Sequence, residues 1–203
     1  MQDYEMQISE KQFKENLIRH LNKHNSGWID GDDKEKGLEN KKTADVVNHK
    51  LKICIEIKDD GKFSEPTTSS WSGEFEIGQM NRQLRNWLKD SSKKFENYKE
   101  YRSLTLINTN KTDWPKELLI SAIYGKEDLQ KKNGYEFPSS VFINKDQSTE
   151  NVGGIIFHGR MRSIFFENTN SNVSRQRKIP EKWIEEIFLN TLFIDKGAIP
   201  AVL

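Results

Sequence analysis

Asp45, Glu56 and Lys58 stand in two short apolar runs separated by the turn-like Asn48-His49-Lys50. The first run is Thr43-Ala44-Asp45-Val46-Val47, and the second is Leu51-Lys52-Ile53-Cys54-Ile55-Glu56-Ile57-Lys58. In the second, Leu51, Ile53, Ile55 and Ile57 alternate with Lys52, Cys54, Glu56 and Lys58, the period of a strand with one apolar face. Glu56 and Lys58 therefore project from the same side of one strand. Asp45, on the paired strand, reaches that side if the hairpin bends around it. Two carboxylates converging with an ammonium suit metal-assisted hydrolysis of a phosphodiester. The carboxylates hold a hard divalent cation that retains some of its waters, and the cation offsets phosphorane charge and generates hydroxide. The lysine orients the attacking water or stabilises transition-state charge. The same letters also fit an ordinary hairpin whose solvated side carries Lys52, Glu56 and Lys58.

The surrounding elements must position these groups. A helix is expected from Ser9 to about His24, opened by a Ser9/Gln12 capping box and striped by Phe13, Leu17 and Leu21. Asn25-Ser26-Gly27 stops it, and Trp28 and Ile29 start a short strand. Strands are expected at Thr43 to Val47 and Leu51 to Lys58, followed by a loop from Asp59 to Gly73. A long helix from about Phe75 to Tyr101 carries Ile77, Met80, Leu84, Trp87 and Leu88, and Ser103 to Ile107 reads as a strand. A short helix lies within Trp114 to Tyr124, opened by Pro115. Val141 to Ile143, Gly154 to His158 and Ser163 to Phe166 read as antiparallel strands, and Glu181 to Phe193 as a helix after Pro180. The expected architecture is α/β, a mixed central sheet flanked by helices with extra C-terminal strands and helix.

The helix–hairpin–helix–strand order and the motif Asp45…Glu56-Ile57-Lys58 resemble the PD-(D/E)XK nuclease superfamily, whose fold is called restriction-endonuclease-like. The family's proline is replaced by Ala44, which removes no ligand. The resemblance implies that Asp45, Glu56 and the backbone carbonyl of Ile57 bind Mg²⁺, with Mn²⁺ able to substitute. It implies that Lys58 positions the water and that the substrate is nucleic acid, with double-stranded DNA favoured. It also implies a homodimer, because cutting both strands with one compact site takes two copies. RecB-type members carry a glutamine followed four residues later by tyrosine on the next helix. Gln79 matches, but Gln83 stands where the tyrosine would be. The likeness covers roughly Ser9 to Ile107; residues 108 to 203 are left for sheet completion, substrate recognition or dimerisation.

Many members also carry a glutamate on the first helix, and Glu10 is the matching candidate. At 100° per residue it falls on the arc of Phe13, Leu17 and Leu21. An auxiliary catalytic carboxylate and a first-turn Glu favoured by the helix dipole both fit. Between Arg82 and Arg102 lie Arg82, Arg85, Lys89, Lys93, Lys94, Lys99 and Arg102 against Asp90, Glu96 and Glu100. Arg175, Gln176, Arg177 and Lys178 form a second basic cluster. Either cluster can meet phosphates or simply face solvent. Trp71 and Phe75 suit base stacking or core anchoring equally. His24, His49 and His158 lack metal-ligand spacing on a shared element. Cys54 has no evident base beside it and reads as a small buried side chain.

Hydrophobic residues make up 34% and charged residues 31% of 203 residues, with five Trp and eleven Phe, enough for one folded nuclease-sized domain spanning the chain. A net charge of +1 gives no basic excess of the kind common in dedicated nucleic-acid binders. No apolar run suits a membrane span, Met1 to Glu10 lacks the pattern of a secretory signal, and a lone cysteine suits a reducing, cytoplasmic setting. The expectation is a Mg²⁺-dependent endonuclease. Its competitors are a non-catalytic nucleic-acid-binding module that retains the fold, and a protein-interaction domain with a fortuitous hairpin.

Overall fold

The run with the cleanest apolar alternation, Ile53–Asp59, is strand β3, third in a six-stranded sheet whose spatial order follows the chain. In the computed structural model, residues 10–32, 42–59, 73–109, 116–124, 141–142, 149–159 and 163–168 are described. The elements are α1 (Glu10–His24), β1 (Trp28–Asp30), β2 (Val46–Asn48), β3, α2 (Gly73–Phe95), β4 (Arg102–Thr109), α3 (Lys116–Tyr124), β5 (Gly154–Gly159) and β6 (Ser163–Glu167). Strands β1, β2 and β3 form an antiparallel meander. The β3–β4 and β4–β5 pairs are parallel, and β6 returns antiparallel to β5. Each parallel step needs a crossover, and the segments containing α2 and α3 supply them. The class is α/β, a mixed sheet flanked by helices.

Alternation sorts the sheet's two faces. Val46, Ile53, Ile55, Ile57, Leu104, Leu106 and Ile156 pack with Leu17 and Leu21 of α1. Val47, Cys54, Ile107, Ile155 and Phe157 pack on the other face with Met80, Leu84, Leu88 and Phe95 of α2 and Leu119 and Ile123 of α3. Each such Leu, Ile or Phe, fully buried, stabilises by roughly 1.5–3 kcal/mol. Glu56 and Lys58 share the Cys54 side of β3 and so face α2, inside the layer between sheet and helix. Among the described residues no helix is long and apolar enough to cross a membrane.

Several boundaries differ from the sequence reading. Helix α2 ends at Phe95 rather than near Tyr101; the backbone N–H groups of Tyr98 and Tyr101 donate to the Phe95 and Tyr98 carbonyls in successive tight turns. Burial of Tyr98 draws the chain back toward β4. The hairpin turn falls after Asn48, whose side chain accepts from the Leu51 N–H, and Lys52 takes a left-handed φ of 53°. Val141 and Phe142 form a turn instead of a strand. They are apolar because they are buried, and the Val141 N–H donates to the carbonyl of Ile123. Strand β5 pairs antiparallel with β6 as expected but parallel with β4. The Ser9 cap, Trp71 and the helix expected at Glu181 to Phe193 lie outside the described residues.

Candidate active site

The β2–β3 ladder pairs Val47 with Cys54 and ends at Val46 with Ile55, and continuing its register would set Asp45 against Glu56. Directly opposed residues of an antiparallel pair share a face, and both carboxylates do meet Lys94 of α2. The strand was expected to start at Thr43, but the chain bends at Asp45 and regular pairing begins at Val46. The bend exchanges a backbone acceptor for a side chain: the Ile57 N–H donates to Asp45 Oδ2 at 2.7 Å. A second contact ties the bend to β1, where the Gly31 N–H donates to the Asp45 carbonyl at 3.1 Å. Gly31 is required there by close approach, since a Cβ would lie 1.9 Å from the Ala44 carbonyl oxygen.

Around the two carboxylates stand two ammonium groups. Lys58 Nζ lies 2.9 Å from Glu56 Oε1 and 2.8 Å from Asp90 Oδ2 of α2. Lys94 Nζ, from the last turn of α2, lies 2.7 Å from the same Glu56 Oε1 and 3.4 Å from Asp45 Oδ1. Glu56 is 1% exposed, and among the described residues its Oε2 has no hydrogen-bond partner. Burial, then the neighbouring charge of Asp45, pushes the Glu56 carboxyl up to about 7 despite both lysines. Burial works against the charged forms of Lys58 and Lys94, but Glu56 outweighs it with Asp90 for the first and Asp45 for the second, so both lie above the ordinary lysine range. Asp90 is held below the usual carboxylate range by its hydrogen bond from Lys58.

The charged cluster continues toward the sheet edge. Lys14 of α1 donates to Asp30 at 2.9 Å and Asp32 at 2.8 Å, and Thr43 Oγ1 donates to Asp32 at 3.3 Å. Against the effect of its own burial, Asp32 is held below the carboxylate range by Lys14, with further help from the charge of Lys94. Glu10 precedes Lys14 by one turn of α1. Its side chain is exposed rather than on the buried arc, and no hydrogen bond or ion pair among the described residues joins it to Asp45 or Glu56. A first-turn residue has no preceding turn to complete the buried stripe, which the periodicity could not register.

Asp45, Glu56, Ile57 and Lys58 are thus brought together, whereas other anticipated residues are not. Gln79 and Arg82 are exposed on α2. Arg85 is half-buried, its Nε donating to Asn81, whose side-chain amide donates to the Ala122 carbonyl between α2 and α3. Arg175, Arg177 and Lys178 lie outside the described residues. Lys94 and Asp90 are the site members that the motif did not single out. Their signal was an Asp and a Lys four apart, flanking the Leu84–Leu88–Phe95 stripe.

Among the described residues no three His, Cys, Asp or Glu side chains form a ready metal-binding group. The fit to a hard cation rests instead on two neighbouring carboxylates, one with a buried oxygen that has no partner among the described residues. Two protein carboxylates are a usual complement for Mg²⁺, which keeps waters and takes further oxygens from substrate. Comparison with family models, curated proteins and solved structures finds no match for this chain.

Proposed function

We propose that this chain is a Mg²⁺-dependent endonuclease with a restriction-endonuclease-like core, of the PD-(D/E)XK kind, hydrolysing phosphodiester bonds in double-stranded DNA. The observation that carries the reading is the opposition of Asp45 and Glu56 where the β2–β3 ladder ends, with Lys58 on the same side. The meander-then-parallel order of β1 to β4, with α2 as crossover, supports the core assignment.

Asp45 and Glu56 would hold the cation. A strand residue presents its N–H and C=O to the same side, so Ile57, whose N–H meets Asp45, would offer its carbonyl as a third ligand. When bound, the ion offsets charge on the phosphoryl group and acidifies water. Lys58 stays cationic at neutral pH, so it serves as a charged donor to water or a phosphate oxygen, not as a base. Asp90 holds that ammonium in place. Glu10, in the first turn of α1, is the auxiliary carboxylate of this reading. Mn²⁺ substitutes for Mg²⁺, and two copies of the chain act together on a duplex.

A second reading, a non-catalytic nucleic-acid-binding module retaining the fold, draws on Lys94, whose ammonium contacts both carboxylates. Plasmid DNA with Mg²⁺ or Mn²⁺ separates the two. The nuclease reading expects cleavage that is lost in Asp45→Ala and Lys58→Ala. Cutting by Lys58→Ala at the unaltered rate would remove the assigned site, and retardation of DNA without cleavage would favour the binding module.

A further inference from the structure

Resting on the metal-site reading above, we infer that Lys94 is a built-in occupant of the cation position, displaced when a divalent ion binds. Among the described residues, Lys94 is the one group whose polar atom touches both carboxylates, at 2.7 Å from Glu56 Oε1 and 3.4 Å from Asp45 Oδ1. Lys58 shares Glu56 Oε1 at 2.9 Å but is anchored on its far side by Asp90 at 2.8 Å, so the two lysines are not equivalent. A divalent ion between Asp45 and Glu56 would meet the Lys94 ammonium at contact distance in a buried site, where like charges repel strongly. One cation must leave.

Lys94 has somewhere to go. It belongs to the last turn of α2, its side chain is 22% exposed, and it already lies within electrostatic range of Asp32. Glu56 Oε2, buried and without a partner among the described residues, is the oxygen that Lys94 leaves unserved and an ion would take. In this position the Lys94 ammonium offsets part of the repulsion between the two carboxylates, at the expense of divalent affinity. The displaced ammonium becomes available to a phosphate of the bound strand.

Titration calorimetry of the full chain with MnCl₂ alone tests this. Lys94→Met should bind Mn²⁺ on the order of tenfold tighter than the unaltered protein, since removing the ammonium removes its repulsion, while Lys94→Arg should bind no tighter. Binding by Lys94→Met equal to or weaker than that of the unaltered protein overturns the displacement. Should that variant fold poorly, the unaltered protein still decides. Reductive methylation of Lys94, read by peptide mass spectrometry against the exposed Lys93, should rise severalfold on adding Mn²⁺; an unchanged ratio overturns it. Absence of Mn²⁺ uptake by both unaltered protein and variant would remove the metal-site reading as well, whereas uptake without a Lys94 effect removes this inference alone.

Discussion

Asp45 lies just beyond the last pair of the β2–β3 ladder, Val46 with Ile55, and one Lys94 ammonium contacts both it and Glu56. Its Oδ2 accepts the Ile57 N–H at 2.7 Å, where a regular ladder would offer a backbone carbonyl. One carboxylate oxygen is therefore structural, and the other, 3.4 Å from Lys94, faces the charged cluster. The two duties of this residue can be separated by substitution.

Asp45→Asn keeps an oxygen acceptor for the Ile57 N–H but loses the charge. It should unfold in urea within about 1 kcal/mol of the unaltered protein, and it should not cleave DNA. Asp45→Ala also leaves a buried N–H without an acceptor and should cost about 1–3 kcal/mol in the same assay. Equal stability of the two variants would show that the 2.7 Å bond contributes nothing.

Asp90 touches no reacting group, yet it holds Lys58 at 2.8 Å. In single-turnover cleavage, Asp90→Asn should slow the reaction roughly tenfold, short of the 10²–10³-fold loss typical when a transition-state donor is removed, as in Lys58→Ala. Metal affinity should stay unchanged in Asp90→Asn. A fall in metal affinity as large as the fall in rate would place Asp90 among the ligands.

Gly31→Ala inserts a Cβ 1.9 Å from the Ala44 carbonyl oxygen, and backbone has little room to yield. The expected cost is about 1–3 kcal/mol, as for other overpacked sites. Because the Gly31 N–H also fixes the Asp45 carbonyl, cleavage should fall even in the fraction that stays folded. A variant as stable and as active as the parent would mean that the bend at Asp45 is held by other contacts.

Lys14 and Asp32 give a pH signature of their own. Asp32 sits below its ordinary value of 3.8 in the folded protein, so its contribution to stability is present above that pH and is lost as pH falls through the folded value. Lys14 is shifted upward from 10.5, so its contribution is present below that pH and is lost only in strong alkali. The melting-temperature gap between the parent and Lys14→Met should be constant from pH 5 to 8 and narrow below about pH 4. A gap that widens in acid would show that the Lys14–Asp32 pair is not its source.

How much was legible in the sequence depends on the range of the physics involved. The alternation from Leu51 to Lys58 set the isoleucines on one face and Glu56 and Lys58 on the other, because side-chain direction in a strand is a two-residue property; that α1 covers the isoleucine face came from the structure. The apolar spacing of α1 and α2 located both helices, again from local periodicity. Val141-Phe142 was misread because an apolar pair looks the same in a strand and in a buried turn. Glu10 is exposed rather than on the buried arc because a helical wheel does not say where the covering surface ends.

By itself, then, the sequence determined which residues alternate, which helices are amphipathic and which acidic and basic groups share the face of one strand. Only the tertiary structure decided that the chain bends at Asp45, that Gly31 admits that bend, and that Lys94 comes to lie between Asp45 and Glu56. The reason is distance along the chain. Lys94 is 49 residues from Asp45, and their approach depends on α2 crossing from β3 to β4 over a face already built by both strands. No local period encodes that meeting.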